Sequence, residues 1–479
     1  MTPTGPPAQK DGRNIVLFVA IISNFFCAFA TSALNIAVPH IGIEFHMPAP
    51  ALSWIVLSFT FMAVLLTLPF GRLADIRGRT PMLKLGIFLV CLASTLNVFS
   101  PTMTVFFLLR VLQGVGGAMV FATSFAILVI AWPVERRGWA LGVTVGVIYA
   151  AVALGPVVGG MITHWFGWRG IFLVISALSL VAFVASLRLP EETKRQNTQR
   201  LNVGSILLFM AAVTLVIYGF STLTQDLLSY FLTVAGVVLL VLFVWHESRV
   251  EVPLIDVKLF RDNPAFGLAS LAGLLGYGSI FAVGYLMSIY LQIVKGFNAD
   301  VSGLVLILHP AIQTFVSLIA GRMSDRKSPY RIASSGMAFC ALGLAALAFV
   351  GEGTPLWGVL AALAVVGTGF GFFASPNTNI IMSSVPPSAS SIASSIQGSV
   401  RMFGQTLTMG IITILMSLIV GSSSLEYVAI RKVELDIRIS FAVFAVLCAA
   451  GALISLKQKN TPAGGSDRKA FRTNLRIHR

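Results

Sequence analysis

Four stretches of this sequence hold residues whose types and spacing could do chemistry. In "GRLADIRGR" (71–79), Asp75 stands among Arg72, Arg77 and Arg79 and between Gly71 and Gly78. Opposite charges at such spacing can pair to hold one conformation shut and release it in another, while the glycines permit a tight turn and close helix approach. In "LLRVLQGVGGA" (108–118), Arg110 and Gln113 lie one helical turn apart. A guanidinium inside an apolar run is costly unless paired or hydrated, so both are expected to point into a polar cavity. His309, in "VLILHPAIQT", is the titratable residue nearest the middle of an apolar run. Imidazole changes charge near neutral pH, so His309 could carry a proton; a hydrogen-bonded structural histidine beside a proline kink is an equal reading.

The fourth stretch is "GVIYAAVALGPVVGG" (146–160), which places Gly146, Gly155, Pro156, Gly159 and Gly160 in an otherwise apolar run. Pro156 removes a backbone donor, frees the carbonyl four residues earlier and bends the helix. Gly155, Gly159 and Gly160 let a neighbouring backbone approach the bend, and Gly142 and Gly146 extend the small-residue spacing. The chain shows no phosphate-binding loop, nucleophile motif or zinc-ligand spacing. Cys27, Cys91, Cys340 and Cys448 all fall in apolar runs without disulfide or metal spacing, so neither a metal nor a cofactor is expected and the chain does not read as an enzyme.

The elements that must position these residues are membrane helices. Of 479 residues, 56% are hydrophobic and 11% charged, and the mean hydropathy is +0.88. Soluble domains carry roughly 25% charged residues. About fourteen uncharged runs reach the roughly 20 residues needed to cross a bilayer as a helix. Runs of this length exclude an outer-membrane barrel, whose strands are shorter and alternate. The first run has no signal-peptide ending and is expected to stay in the mature protein. With the N-terminus in the cytoplasm, most of the 33 Lys and Arg fall in alternate loops on that side, which fixes the orientation of a multi-pass protein of the cell inner (plasma) membrane with both termini cytoplasmic. The net charge of +15 is thus no sign of nucleic acid, and the basic tail (457–479) is expected to lie on anionic lipid headgroups.

A second short motif, "GRMSDRK" (321–327), repeats the Gly-Arg-x-x-Asp pattern with Asp325, and Gly114-Val115-Gly116-Gly117 lines up with Gly367-Thr368-Gly369-Phe370-Gly371. An internal repeat follows. The expected organisation is all-α: an N-terminal six-helix half (1–189), a linker with two inserted helices (190–263), a C-terminal six-helix half (264–456) and the tail. Paired halves of this kind hold substrate between them near the membrane midplane.

These motifs resemble those of the major facilitator superfamily and, within it, the fourteen-helix drug:proton antiporter branch. "GRLADIRGRTPML" (71–83) resembles its loop signature between helices 2 and 3, "LLRVLQGVGGA" its helix 4 signature, the 146–160 stretch its helix 5 antiporter signature, and "VPLIDVKLF" (252–260) its linker. The resemblance covers nearly the whole chain. It implies that Asp75 and Arg79 stabilise the outward-facing state, that Arg110 supports coupling, and that helix 5 seals the extracellular side against the span expected over 301–321.

One departure bears on mechanism. Many relatives carry an Asp in helix 1 where "FATSALNIAVP" (29–39) has Ala30, and no Asp or Glu is expected deep within a span, the last run being placed at 438–456. A buried carboxylate is the usual proton carrier and the usual counter-charge for lipophilic cations. The cavity is expected to be lined by Asn24, Asn35, Tyr149, Tyr277, Tyr285, Gln292, Gln313, Asn377, Gln397, Arg401 and Gln405, some of them serving helix packing instead. With arginines inside and no buried acid, neutral or anionic amphiphiles are favoured over permanent cations. The expected function is proton-driven export of hydrophobic drugs, antibiotics or related small amphiphiles by a monomer in lipid. A proton-independent exporter of a dedicated metabolite or lipid is the alternative, and a membrane scaffold or receptor-like protein the alternative of another class.

Overall fold

The computed structural model describes residues 10–190, 202–222, 227–250, 253–254, 257–385, 390–421 and 430–457, and it is all-helical there. The first group is α1 (Lys10–Glu44), α2 (Ala49–Arg77), α3 (Arg79–Val98), α4 (Met103–Ala131), α5 (Val134–Phe166) and α6 (Arg169–Ser186). Next come α7 (Val203–Ser221), α8 (Leu227–Glu247) and the short α9 (Val257–Asp262). The last group is α10 (Pro264–Ile289) with a π-helical turn at Tyr290–Val294, α11 (Ala299–Leu306), α12 (Leu308–Arg326), α13 (Pro329–Leu347), α14 (Leu356–Ser383), α15 (Ser390–Ile419) and α16 (Ile430–Lys457). With α10 and its π turn counted as one and α11 with α12 as one, 14 helices are long and apolar enough to cross a membrane. The basic tail beyond Lys457 and most of the 188–202 linker lie outside the described residues.

Local chemistry sets the ends. Thr102 caps α4 by accepting from the Val105 amide, and Asn263 caps α10 by accepting from Phe266, with Pro264 in the first turn where a missing N–H costs nothing. Pro310 has no N–H to offer the carbonyl of Leu306, and the helix breaks there into α11 and α12.

The same close contacts occur twice. A Cβ on Gly116 of α4 would sit 2.7 Å from the Gly86 carbonyl of α3, and one on Gly369 of α14 would sit 2.7 Å from the Gly336 carbonyl of α13. Likewise Gly114 backs onto Phe59 of α2, and Gly367 onto His309 of α12. His309 therefore occupies in α12 the place that Phe59 occupies in α2. The inserted helices are peripheral: α7 packs on α8 and touches α2 and α15, while only 17% of α8's membrane-length window is buried. Its exposed Leu227, Phe231, Val234, Val238, Val241 and Trp245 need lipid rather than water around them.

The signature expected as a loop over 71–81 is helical. α2 continues to Arg77 and α3 starts at Arg79, so the whole connection is Gly78, with φ of +103°. The cause is that α2 stays hydrogen-bonded past the apolar run, its last bond running from the Gly78 amide to Ala74. Gly71 accordingly lies inside α2, with Ala122 only at ordinary contact, and takes no part in a turn. A side chain at position 78 would be strained by about 1–3 kcal/mol. Gly78→Ala is expected to lower the thermal unfolding midpoint of the detergent-solubilised protein, whereas Gly71→Ala should leave it nearly unchanged.

Candidate functional site

A cavity of about 150 Å³ lies between the two helix groups, walled by α1, α5, α10, the α11–α12 break, α14 and α15. Six of the residues expected there line it: Asn35, Tyr149, Tyr277, Gln313, Arg401 and Gln405. His309 and Pro310 line it too, because the break at Ile307 turns the start of α12 toward the cavity. Apolar surface comes from Ile148, Val152, Ile280, Phe281 and Phe370. No carboxylate is among the lining residues. Arg401 has Tyr149 within electrostatic reach and no ion pair among the described residues, and His309 keeps a buried Nε2 without a hydrogen-bond partner. Ligand clefts usually measure roughly 300–1,000 Å³. A drug-sized molecule needs this one wider.

Five residues expected in the cavity lie elsewhere. Asn24 is buried within α1 and donates to the Ala20 carbonyl one turn back. Tyr285 turns away from the cavity face of α10, its hydroxyl on Met416 Sδ. Asn377 is buried behind Gly273 of α10, and Gln397 donates to Thr378 at 2.6 Å. Gln292, on the π turn, donates to the Ile36 carbonyl of α1 at 2.9 Å.

Arg110 and Gln113 also face away from the cavity. α4 presents them to α2 and α3, where Arg110 is fully buried, lies 5.2 Å from the Phe59 ring centroid and donates Nε to the Ile55 carbonyl at 3.2 Å. A second nitrogen donates to Gln113 Oε1, and Gln113 in turn donates to Ser94 at 2.9 Å. Hydrogen bonds and the ring face replace the missing counter-charge, so the pair fastens α2, α3 and α4 to one another.

The glycine-proline stretch on α5 does close one end of the bundle, the end opposite Gly78. Pro156 leaves the Val152 carbonyl without its helical donor, and Ser32 of α1 supplies one at 2.8 Å. Gly155 and Gly159 pack on Ser32 and Ala33 of α1, not on the last helix group. The crossing contact is made by Gly160, whose Cβ would meet the Ala299 carbonyl at 2.4 Å, and by Gly303 of α11, whose Cβ would meet the Pro156 carbonyl at 2.1 Å. Gly142 and Gly146 have open space around them and hold no close approach. Three further contacts cross at the same end: Gln292 to Ile36, Ser53 of α2 to Thr413 of α15 at 2.5 Å, and His164 to Asp300 at 3.9 Å. Ser32 and Gly303 had no signal in the motif itself; each is readable only from which helix meets α5.

At the opposite end Arg79 binds Asp75 through two nitrogens, at 2.9 and 2.6 Å, across the Gly78 joint. Arg77 is exposed and Arg72 half-buried on α2. Asp325 lies on α12, and its side chain is outside the described residues.

Asp436 overturns the expectation that no acid lies deep within a span. α16 begins at Ile430, ahead of the apolar run, and so carries Asp436 into the bundle, fully buried with neither carboxylate oxygen hydrogen-bonded among the described residues. The sequence hid it because Arg431, Lys432, Glu434 and Arg438 surround it and look like a loop. Arg438 and Glu434 instead pair with each other at 3.5 Å, on partly exposed sides of the helix.

A family model described as Major Facilitator Superfamily matches residues 20–409. The riboflavin transporter RibZ of Clostridioides difficile is 28% identical over 388 residues, 81% of this chain and 84% of that protein. The multidrug resistance protein Stp of Mycobacterium tuberculosis is 28% identical over 382 residues, 78% of this chain and 70% of that protein. In fold the chain is similar to the crystal structure of a bacterial homolog of the human lysosomal transporter Spinster, with a TM-score of 0.67 at 13% identity, covering 95% of this chain and 98% of that one.

The crossing contacts make a direct prediction. Cysteines placed at Ser53 and Thr413 should form a disulfide on mild oxidation, read as a mobility shift after a protease cut between the helix groups. A bulky Gly303→Val should abolish that cross-link by forcing α11 off the Pro156 carbonyl, while Gly142→Val should leave it intact.

Proposed function

Because the chain belongs to the major facilitator superfamily and is a membrane transporter, we propose that it exports small hydrophobic or amphiphilic compounds, drugs and antibiotics among them, in exchange for inward-moving protons. The observation that carries this reading is the cavity between two helix groups with matched glycine contacts, closed at one end by contacts that cross from one group to the other. In this reading 1–189 and 264–456 are the halves that rock about the cavity, and the 190–263 insertion holds the peripheral helices. The protein is a monomer of the inner (plasma) membrane with both termini cytoplasmic, so the sealed end faces outward. The Asp75–Arg79 pair, expected to stabilise the outward-facing state, is made here with the outward end sealed, so it fixes the cytoplasmic α2–α3 joint in this state too.

Arg401, with no acid beside it, favours neutral or anionic compounds over permanent cations. His309, on the cavity wall with a free ring nitrogen, is where proton and substrate can compete. A second reading, export without proton exchange, is favoured by the lack of a carboxylate among the lining residues.

Energised inside-out vesicles with a pH-sensitive dye separate the two. Riboflavin as a neutral probe and cholate as an anionic one should collapse the pH gradient only with intact protein, ethidium should not, and His309→Ala should reduce the response to that of empty vesicles. Ethidium exchange at wild-type rates would contradict the charge preference. Counterflow of riboflavin without any proton movement would establish the second reading.

A further inference from the structure

The cavity leaves Asp436 unexplained. Its carboxylate is completely enclosed, with no ion pair or hydrogen bond among the described residues. Four elements pack around α16: α13, α10, α15 and the π turn. From α10, Tyr285 lies within electrostatic reach, although its hydroxyl is committed to Met416 of α15. The π turn contributes Tyr290, whose hydroxyl donates to the Gly351 carbonyl. By sequence, α13 and α15 carry no carboxylate, amine, guanidinium or imidazole in the halves nearest the sealed end. On α16 itself, Glu434 and Arg438 are paired, and Ser440, one turn on and fully buried, has an unpartnered hydroxyl.

An uncompensated charge does not persist in such a place, so the site takes a cation. A metal ion would need several oxygens at close range, and on α16 Ser440 is the one described side chain near the carboxylate with an unpartnered oxygen. A proton needs none. The position ties this site to the seal through one helix: Gly284 of α10 faces the cavity, Tyr285 beside it lies within electrostatic reach of Asp436, and the π turn that ends the helix holds the Gln292 bond to α1. π-helical turns inside helices recur at functional sites.

We propose that Asp436 is a proton-binding site, separate from the cavity, whose occupancy holds the sealed end shut. Opening that end breaks the Gln292 bond to α1 and frees the π turn to shift on α16, which admits water; the carboxylate loses its proton to that water, and closure requires that it be bound again from the same side. Proton binding and closure are therefore linked, each favouring the other. This rests on the alternating-access part of the function proposed above, not on proton exchange. His40, His164 and Asp300 stand at the same end, and an Asp436 variant leaves all three in place.

The test uses the full chain in lipid nanodiscs, with native cysteines replaced by alanine and spin labels at the exposed Ile43 and Trp357, one on each helix group at the sealed end. In the wild type the short-distance population should fall as pH rises. Asp436→Asn, a neutral mimic, should stay short at alkaline pH, and Asp436→Glu should keep the pH dependence with a moved midpoint. In parallel, pH-difference infrared spectra should show a protonated-carboxyl band that is lost in Asp436→Asn. The inference falls if wild type and Asp436→Asn share one pH dependence, if the infrared spectra superimpose, or if sodium restores the short distance at alkaline pH where potassium does not. A wild-type distance fixed at every pH overturns it too, and if added riboflavin also fails to move that distance, alternating access falls with it.

Discussion

The carbonyl of Val152 is the point on which the rest of the arrangement turns. Pro156 deprives it of its helical donor, and inside a bilayer an unsatisfied carbonyl costs several kcal/mol. Ser32 of α1 supplies the missing hydrogen bond, which binds α1 to the bend of α5. The bend in turn exposes the Pro156 carbonyl to Gly303 and brings Gly160 against Ala299, contacts that only a residue without a side chain allows. A helix that breaks its own ladder thus becomes the surface on which the two helix groups meet. Because that surface is backbone against backbone, it either closes fully or not at all, and such two-state behaviour suits a gate.

Charge inside the bundle is handled in three different ways. Arg110 is held by a ring face, a backbone carbonyl and a side-chain amide, and so serves to fasten helices. Arg401 faces the cavity without an ion pair among the described residues, where it can meet a substrate. Asp436 has no partner among the described residues, and a site of that kind is occupied by a cation or it is unstable. The same low-dielectric surroundings give fastening, recognition and a switch, depending only on which partners each charge finds.

Much of this was legible in the sequence. Long uncharged runs predict the membrane helices, and the glycine repeat predicts contacts that occur in both helix groups. Six of the eleven cavity candidates line the cavity; the rest failed because helical phase within a span is not set by polarity alone, as Tyr285 beside Gly284 illustrates. Arg110 misled for a related reason: a buried cation suggests a cavity, yet a backbone carbonyl, an amide oxygen and an aromatic face hold it between helices, with one nitrogen unpartnered among the described residues. Asp436 was invisible because helix continuation past the apolar run depends on packing against α10 and α13, not on local composition. Gly78 shows the same effect, since a loop by composition is a helix up to a single residue.

The central claim is that the cavity opens alternately to the two sides of the membrane. Gln405 lines it, so a Gln405→Cys variant with native cysteines replaced can be treated with a membrane-impermeant maleimide in right-side-out and inside-out vesicles. Modification from both faces, each rate rising when the opposite face is locked shut, is the predicted result. Modification from one face alone, whatever compound or pH gradient is applied, would contradict the account.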